Sequence, residues 1–130
     1  MHRTTIRVRW GELDPYNHVN HAVYSSYLEH ARVEALAALD TGMESLAADG
    51  LQIVVVRSDV RFVAPATAGD ELTVTTSVGE IRGATTTWIQ HIDRGPTRIV
   101  EAEITAACID RTGRPVRIPP DLRSALGGLA

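Results

Sequence analysis

Between His21 and Leu39 the apolar residues recur at steps of three and four, whereas after Gly50 the spacing changes to the two-residue alternation of strands. That change of period limits the chain to one long helix set against a sheet. Tyr24, Tyr27, Leu28, Ala31, Ala35, Ala38 and Leu39 share the apolar side of the helix, Asn20 suits its N-cap, and Thr41-Gly42 supplies a stop. Before it, Thr5 to Trp10 alternates and predicts a strand with Ile6, Val8 and Trp10 on one face. After it, strands are expected over Gln52 to Ala64, Leu72 to Val78, Thr85 to Asp93 and Arg98 to Asp110, separated by Gly, Pro and Asp turns. The first of these begins apolar on both faces, at Ile53-Val54-Val55-Val56. The remainder, Pro115 to Ala130, reads as an irregular tail with at most one helical turn, Asp121 to Leu126. Short connections imply antiparallel neighbours, so the fold class is α+β, a five-stranded sheet wrapped around one helix in a single domain spanning residues 1–130.

Such a domain is long enough to bury its own core without disulfide or metal. The lone Cys108 falls inside an apolar strand, which suits a buried, inert thiol and a reducing compartment. Met1 to Thr5 lacks the apolar stretch of a signal peptide, and no apolar run reaches a membrane span, so a cytoplasmic protein is expected. A formal charge of −3 without long blocks of either sign argues against nucleic acid as a partner. An anionic ligand fits, since a few arginines and one helix N-terminus can hold a phosphate.

Chemistry concentrates in Asp14-Pro15-Tyr16-Asn17-His18-Val19-Asn20-His21, directly before the helix. A carboxylate here could attack a carbonyl carbon or deprotonate a water, and the free amides at the helix start, near His21, could receive the oxyanion. Equally, Asp14-Pro15 could be a plain turn initiator. His18 and Asn20 are expected to brace the loop through side-chain to backbone bonds. His18, His21 and Glu29 lack the spacing of a helical metal pair, and no metal site is expected. On the helix, Ser25, Glu29, Arg32 and Leu36 form a stripe beside the apolar face. Glu29 and Arg32 make either a solvated ion pair or, with Glu29 turned inward, part of the cleft of Asp14. Tyr24 and Tyr27 read first as core. Arg82, in the turn after the third strand, is either solvated or a phosphate contact at the cleft edge.

The run Arg9-Trp10-Gly11-Glu12-Leu13-Asp14-Pro15-Tyr16-Asn17-His18-Val19-Asn20-His21-Ala22-Val23-Tyr24, with Tyr27-Leu28-Glu29-His30-Ala31-Arg32, resembles the opening of hotdog-fold acyl-CoA thioesterases of the 4-hydroxybenzoyl-CoA thioesterase type. The similarity continues through Val60-Arg61-Phe62, Gly69-Asp70-Glu71-Leu72 and Ile109 to Gly113. The resemblance implies a hotdog fold, homodimers or dimers of dimers with shared sites, and hydrolysis of an acyl thioester of coenzyme A or of an acyl carrier protein, with no cofactor. It matches Asp14 to the catalytic carboxylate and the His21 backbone amide to the oxyanion donor. Candidate substrate contacts are Asn20, Tyr24, Glu29, Ser58 and Arg82, with Ser58 on the long strand that a neighbouring subunit would bring to the thioester. Many relatives carry a second asparagine where this chain has His21, a change that leaves the backbone donor intact. Two alternatives follow: a carrier-protein thioesterase of polyketide or other secondary metabolism, and a non-catalytic acyl-binding or assembly module.

Overall fold

The computed structural model describes residues 1–39 and 43–130, with the backbone alone for 43–45. Strands β1 (His2–Arg7), β2 (Gln52–Phe62), β3 (Glu71–Ile81), β4 (Thr85–Arg94) and β5 (Thr97–Ile109) form one sheet in the order β1-β3-β4-β5-β2. Every neighbouring pair is antiparallel. Helix α1 (His21–Ala38) crosses its inner face, leaning on β1 and β3. The alternation along β4 shows why the sheet has an inside: Thr86, Trp88, Gln90 and Ile92 are buried, while Ile89 between them is exposed. The Gly95-Pro96 connection between β4 and β5 fits the sequence signal, with Gly95 at φ 54° where a side chain would be strained.

The α1 core face is Tyr24, Tyr27, Leu28, Ala31, Ala35 and Leu36. Leu36, assigned by spacing to the polar stripe, belongs to the core, whereas Ala38 is exposed. The Thr41-Gly42 stop lies outside the described residues. A polar bolt joins helix to sheet. Gln90 is fully buried and its Nε2 donates to Leu28 O and to Thr76 Oγ1, both at 3.0 Å, while its Oε1 accepts from Arg32 Nη1 at 2.9 Å. Each hydrogen-bonding atom of the amide is therefore used, as a buried polar group requires.

Three expectations need correction. The first strand ends at Arg7, and Trp10 stands 83 % exposed in a short 3₁₀ turn, Trp10–Glu12. Side-chain bonding overrides alternation there, because Glu12 Oε1 accepts the Arg9 amide at 2.8 Å and turns the chain. The apolar start of β2 is not buried on both faces: β2 is an edge strand, broken by a bulge between Val55 and Arg57, and Val55 and Val56 are exposed. The C-terminal tail is more regular than the single helical turn expected over Asp121 to Leu126. It forms α3 (Pro120–Gly127), started by a proline whose fixed φ suits the first helical position, and buries Leu122 and Leu126. Leu129 beyond it is buried, and its carbonyl accepts the Val78 amide at 2.9 Å. A short α2 (Met43–Ala48), absent from the sequence reading, precedes β2 and buries Leu46. Among the described residues no helix is long and apolar enough to cross a membrane.

Candidate active site

The segment from Leu13 to Asn20 is a closed loop pinned at both ends. Leu13 and Val19 form an antiparallel bridge, and the Asp14 amide donates to His18 O at 2.7 Å. Asn17 takes the left-handed conformation, φ 62°, which asparagine tolerates and which reverses the chain. The loop is then fastened to the segment after β2, by Val19 N–H to Ala66 O and Thr67 Oγ1 to Asn17 O, each at 2.8 Å. At its base, Asn20 N–H donates to Glu12 O at 2.9 Å, and the Glu12 carboxylate accepts from the Tyr27 hydroxyl at 2.8 Å. Burial disfavours the charged form of Glu12, but hydrogen bonds from Arg9 and Tyr27 outweigh it and hold the carboxyl below its usual value. Burial and that same bond push the Tyr27 phenol well above its own.

This frame aims Asp14. Its Oδ1 accepts from the Tyr16 and His18 amides at 2.8 and 3.1 Å, whereas Oδ2 accepts no hydrogen bond among the described residues. Two steps along, Asn20 Oδ1 caps α1 by accepting Ala22 N–H at 3.0 Å. The His21 amide, first in the helix, has no acceptor among the described residues. Asp14, His18, Val19, His21, Tyr24 and Phe62 to Pro65 line one cleft of about 280 Å³. Phe62 walls it, with its ring 6.3 Å from that of His21 and 5.8 Å from that of Tyr24. Burial raises the Tyr24 phenol pKa, opposed by the Ala66 backbone. A side-chain carboxyl group thus shares a cleft with the first residue of a helix, where backbone donors are unspent.

A second, larger cavity of about 510 Å³ lies between α1 and the β2 side of the sheet. Ser25, Glu29, Arg32, Ser58 and Trp88 line it among mostly apolar neighbours.

Residues 8–126 match the family model of the thioesterase-like superfamily. The chain belongs to that superfamily. Its fold is the hotdog fold: a solved structure of the hypothetical protein TT1821 from Thermus thermophilus superposes with a TM-score of 0.92 at 31 % identity, covering 98 % of both chains. The long-chain acyl-CoA thioesterase FadM of Escherichia coli is 33 % identical over 127 residues, covering 95 % of this chain and 96 % of FadM. The chloroplastic acyl-acyl carrier protein thioesterase ATL3 of Arabidopsis thaliana is 31 % identical over 125 residues, and the match takes in 95 % of this chain but only 66 % of ATL3. FadM and ATL3 are both thioesterases, that is, thioester hydrolases.

Against this thioesterase-like frame the predicted residues divide. Asp14, His21 and Tyr24 meet in the cleft. Tyr24 is also core, as read. Asn20 acts from behind as the cap. Glu29 does not share the cleft of Asp14: it lines the larger cavity with Ser58. The expected Glu29–Arg32 ion pair is absent among the described residues, because Arg32 turns to Gln90. Burial pulls the Arg32 guanidinium below its ordinary pKa, with Glu29 pushing it back. Arg82 lines neither cavity, pairs with Glu80 at 3.0 Å and stays exposed. His18 braces the loop through its backbone, not its ring. Sequence reasoning passed over Glu12 and Phe62. Glu12 stands three residues after Arg9, the spacing of a capping box, and that signal could have found it. Phe62 becomes a cleft wall only through the strand's path.

Proposed function

We propose that this chain hydrolyses acyl thioesters, with acyl-CoA as substrate, in the cleft between Asp14 and the start of α1. One observation carries the reading: a carboxylate oriented by two backbone amides, with one oxygen unspent, faces the same cleft as the unspent His21 amide. In the nucleophilic route Asp14 Oδ2 adds to the thioester carbonyl, the oxyanion collects at the His21 N–H, and collapse breaks the C–S bond and releases the thiolate. Water then cleaves the acyl–aspartyl anhydride, regenerating the carboxylate. In the general-base route Asp14 takes a proton from the attacking water and passes it to the leaving thiolate. A thiolate leaves readily, so a carboxylate and an oxyanion donor suffice without a triad. Within the superfamily we place the chain with the 4-hydroxybenzoyl-CoA thioesterase type, on the Asp14 to His21 block and the Glu29-x-Ala31-Arg32 run.

We further infer a homodimer joined through β2. This 11-residue edge strand carries exposed Val55, Val56 and Phe62 beside unpaired backbone groups, a surface that a second copy covers by antiparallel pairing. Carrier-protein thioesters are the second reading, favoured by the similarity to ATL3. The test is Asp14→Asn, which keeps the loop's acceptor but not the charge. Release of free thiol from acyl-CoA should fall about 10²- to 10⁴-fold. Unchanged turnover removes Asp14 from the chemistry, and comparing acyl-CoA with acyl-carrier substrates at equal chain length separates the two readings.

A further inference from the structure

The segment that fastens the Asp14 loop has a clasp of its own, set back from the chemistry. Between β2 and β3 the chain first lines the cleft with Ala64 and Pro65. It then meets the loop, where Ala66 O accepts the Val19 amide and Thr67 Oγ1 donates to Asn17 O. Upstream, the Val63 and Ala64 amides donate to Ile99 O at 2.8 and 3.2 Å. Proline has no N–H to tie down, so Pro65 is held through its carbonyl. That carbonyl accepts from Arg94 Nη1 at 3.0 Å, and the same nitrogen donates to Asp70 Oδ2 at 3.0 Å. Asp70 Oδ2 also accepts the Thr67 amide at 2.9 Å, and the Asp70 amide donates to Thr67 O at 3.1 Å. Arg94, the last residue of β4, therefore grips the segment on both sides of Ala66. Arg61, Arg82 and Arg98 pair with carboxylates on the surface, whereas Arg94 also bonds the backbone of a residue that lines the cleft.

We propose that Arg94 is a positioning residue for Asp14: by holding Pro65 and Asp70 it fixes Ala66 O and Thr67 Oγ1, the two atoms on which the loop hangs, and with them the place of the carboxylate relative to the start of α1. The chemistry this serves rests on the function proposed above; the link from Arg94 to the loop rests on the hydrogen bonds alone. Without Arg94 the Pro65 carbonyl loses its donor and Asp70 Oδ2 keeps one of two, so the wall of the cleft and the anchor of the loop slacken together. Geometry of this kind matters to rate, because a displacement of about 1 Å caused far from the chemistry can cost about 10²-fold. The charge of Arg94 reaches the cleft as well. Burial chiefly raises the Tyr24 phenol pKa, the Ala66 backbone and then Arg94 act against it, and Asp70 and Asp14 add to it.

Arg94→Met keeps the aliphatic stem and removes both bonds. In thiol release from acyl-CoA it should lower kcat about 10- to 10²-fold with KM within about twofold, since the loss falls on the placement of the attacking group and not on binding. Arg94→Lys should restore part of the turnover, because one nitrogen makes both bonds and an ammonium can do the same. Amide hydrogen exchange on the whole protein reads the link without substrate. In Arg94→Met the Val19 amide should exchange at least about tenfold faster, while amides in the middle of β4 and β5 keep the wild-type rate. Thr67→Val, at an exposed residue, removes the bond to Asn17 at the other end of the clasp. It should lower kcat and speed Val19 exchange in the same way, and it decides if Arg94→Met fails to fold. An unchanged Val19 rate overturns the proposal, as does a loss confined to KM or faster exchange throughout the sheet. The two ideas fail separately: faster Val19 exchange in a chain that cleaves no thioester sinks the activity, and thioester cleavage untouched by Arg94→Met sinks the positioning role.

Discussion

Replacing Tyr27 by Phe deletes one atom from the base of the Asp14 loop and leaves the buried ring in place. The hydroxyl donates to Glu12 Oε1 at 2.8 Å, and Glu12 keeps two further donors, Arg9 N–H at 2.8 Å and Arg9 Nη2 at 2.9 Å. A hydrogen bond to a charged group contributes about 1.5–3 kcal/mol. The partly exposed carboxylate and its surviving partners put Tyr27→Phe at the low end, about 1.5 kcal/mol, or roughly 5 °C in Tm for a domain of this size. The pH dependence is the sharper readout. Glu12 has a depressed folded pKa, so its share of stability is present above the unfolded value of about 4.3 and is lost as pH falls through the folded one. Tyr27 has a raised folded pKa, so its share is full below the unfolded value of about 10 and is lost as pH rises towards the folded one. The difference between wild type and Tyr27→Phe should therefore be flat from about pH 5 to pH 10 and shrink outside that window. Urea denaturation across pH measures it. Turnover should fall less than about tenfold, because the Leu13–Val19 bridge and the Val19–Ala66 bond still hold the loop. Equal stability at neutral pH, or a difference growing towards pH 3, refutes the reasoning.

Gln90→Leu should cost about 2–4 kcal/mol in urea denaturation, since it strands Arg32 and Thr76 without their partner in the interior. Leu126→Ala should cost about 2–5 kcal/mol by the same assay, because Leu126 on α3 is 1 % exposed; a loss under 0.5 kcal/mol would return that segment to a loosely held tail. Asn20→Ala should cost about 1 kcal/mol and weaken turnover by loosening the first turn of α1, read by thermal melting and thiol release together.

The helix and its cap were legible because local chemistry decides them: an asparagine oxygen can reach Ala22 N–H whatever surrounds it. Strand β4 was legible because it has one buried and one more open face, which writes an alternation into the residues; β3 and β5 alternate over part of their length and are bounded by turn signals. The same rule misled at Trp10, where a Glu12 side-chain bond bends the backbone out of the strand, and in β2, whose apolar residues face an open edge. The segment from Pro115 on read as a mostly irregular tail, yet its prolines start a helix, since proline blocks continuation and permits initiation. That Asp14 and the start of α1 face one cleft was legible from their spacing across one loop. The separation of Glu29 from Asp14 was not, because it depends on which part of the sheet α1 lies against, a tertiary fact with no local signature.

Helix α1 rests on β1 and β3, and the cavity occupies the opposite half of the interior, beneath β2 and β5. The helix side of the cavity, Leu28, Arg32 and Leu36, shares residues with the core and the Gln90 bolt, whereas its strand side takes no part in the bolt. Ile53, Val54 and Ala106 border the cavity from the strands, away from the Gln90 bolt and from the strands that carry the helix. Changes at those three positions reshape this space while the hydrogen bonds that fasten the Asp14 loop, to Ala66, Thr67 and Glu12, stay untouched.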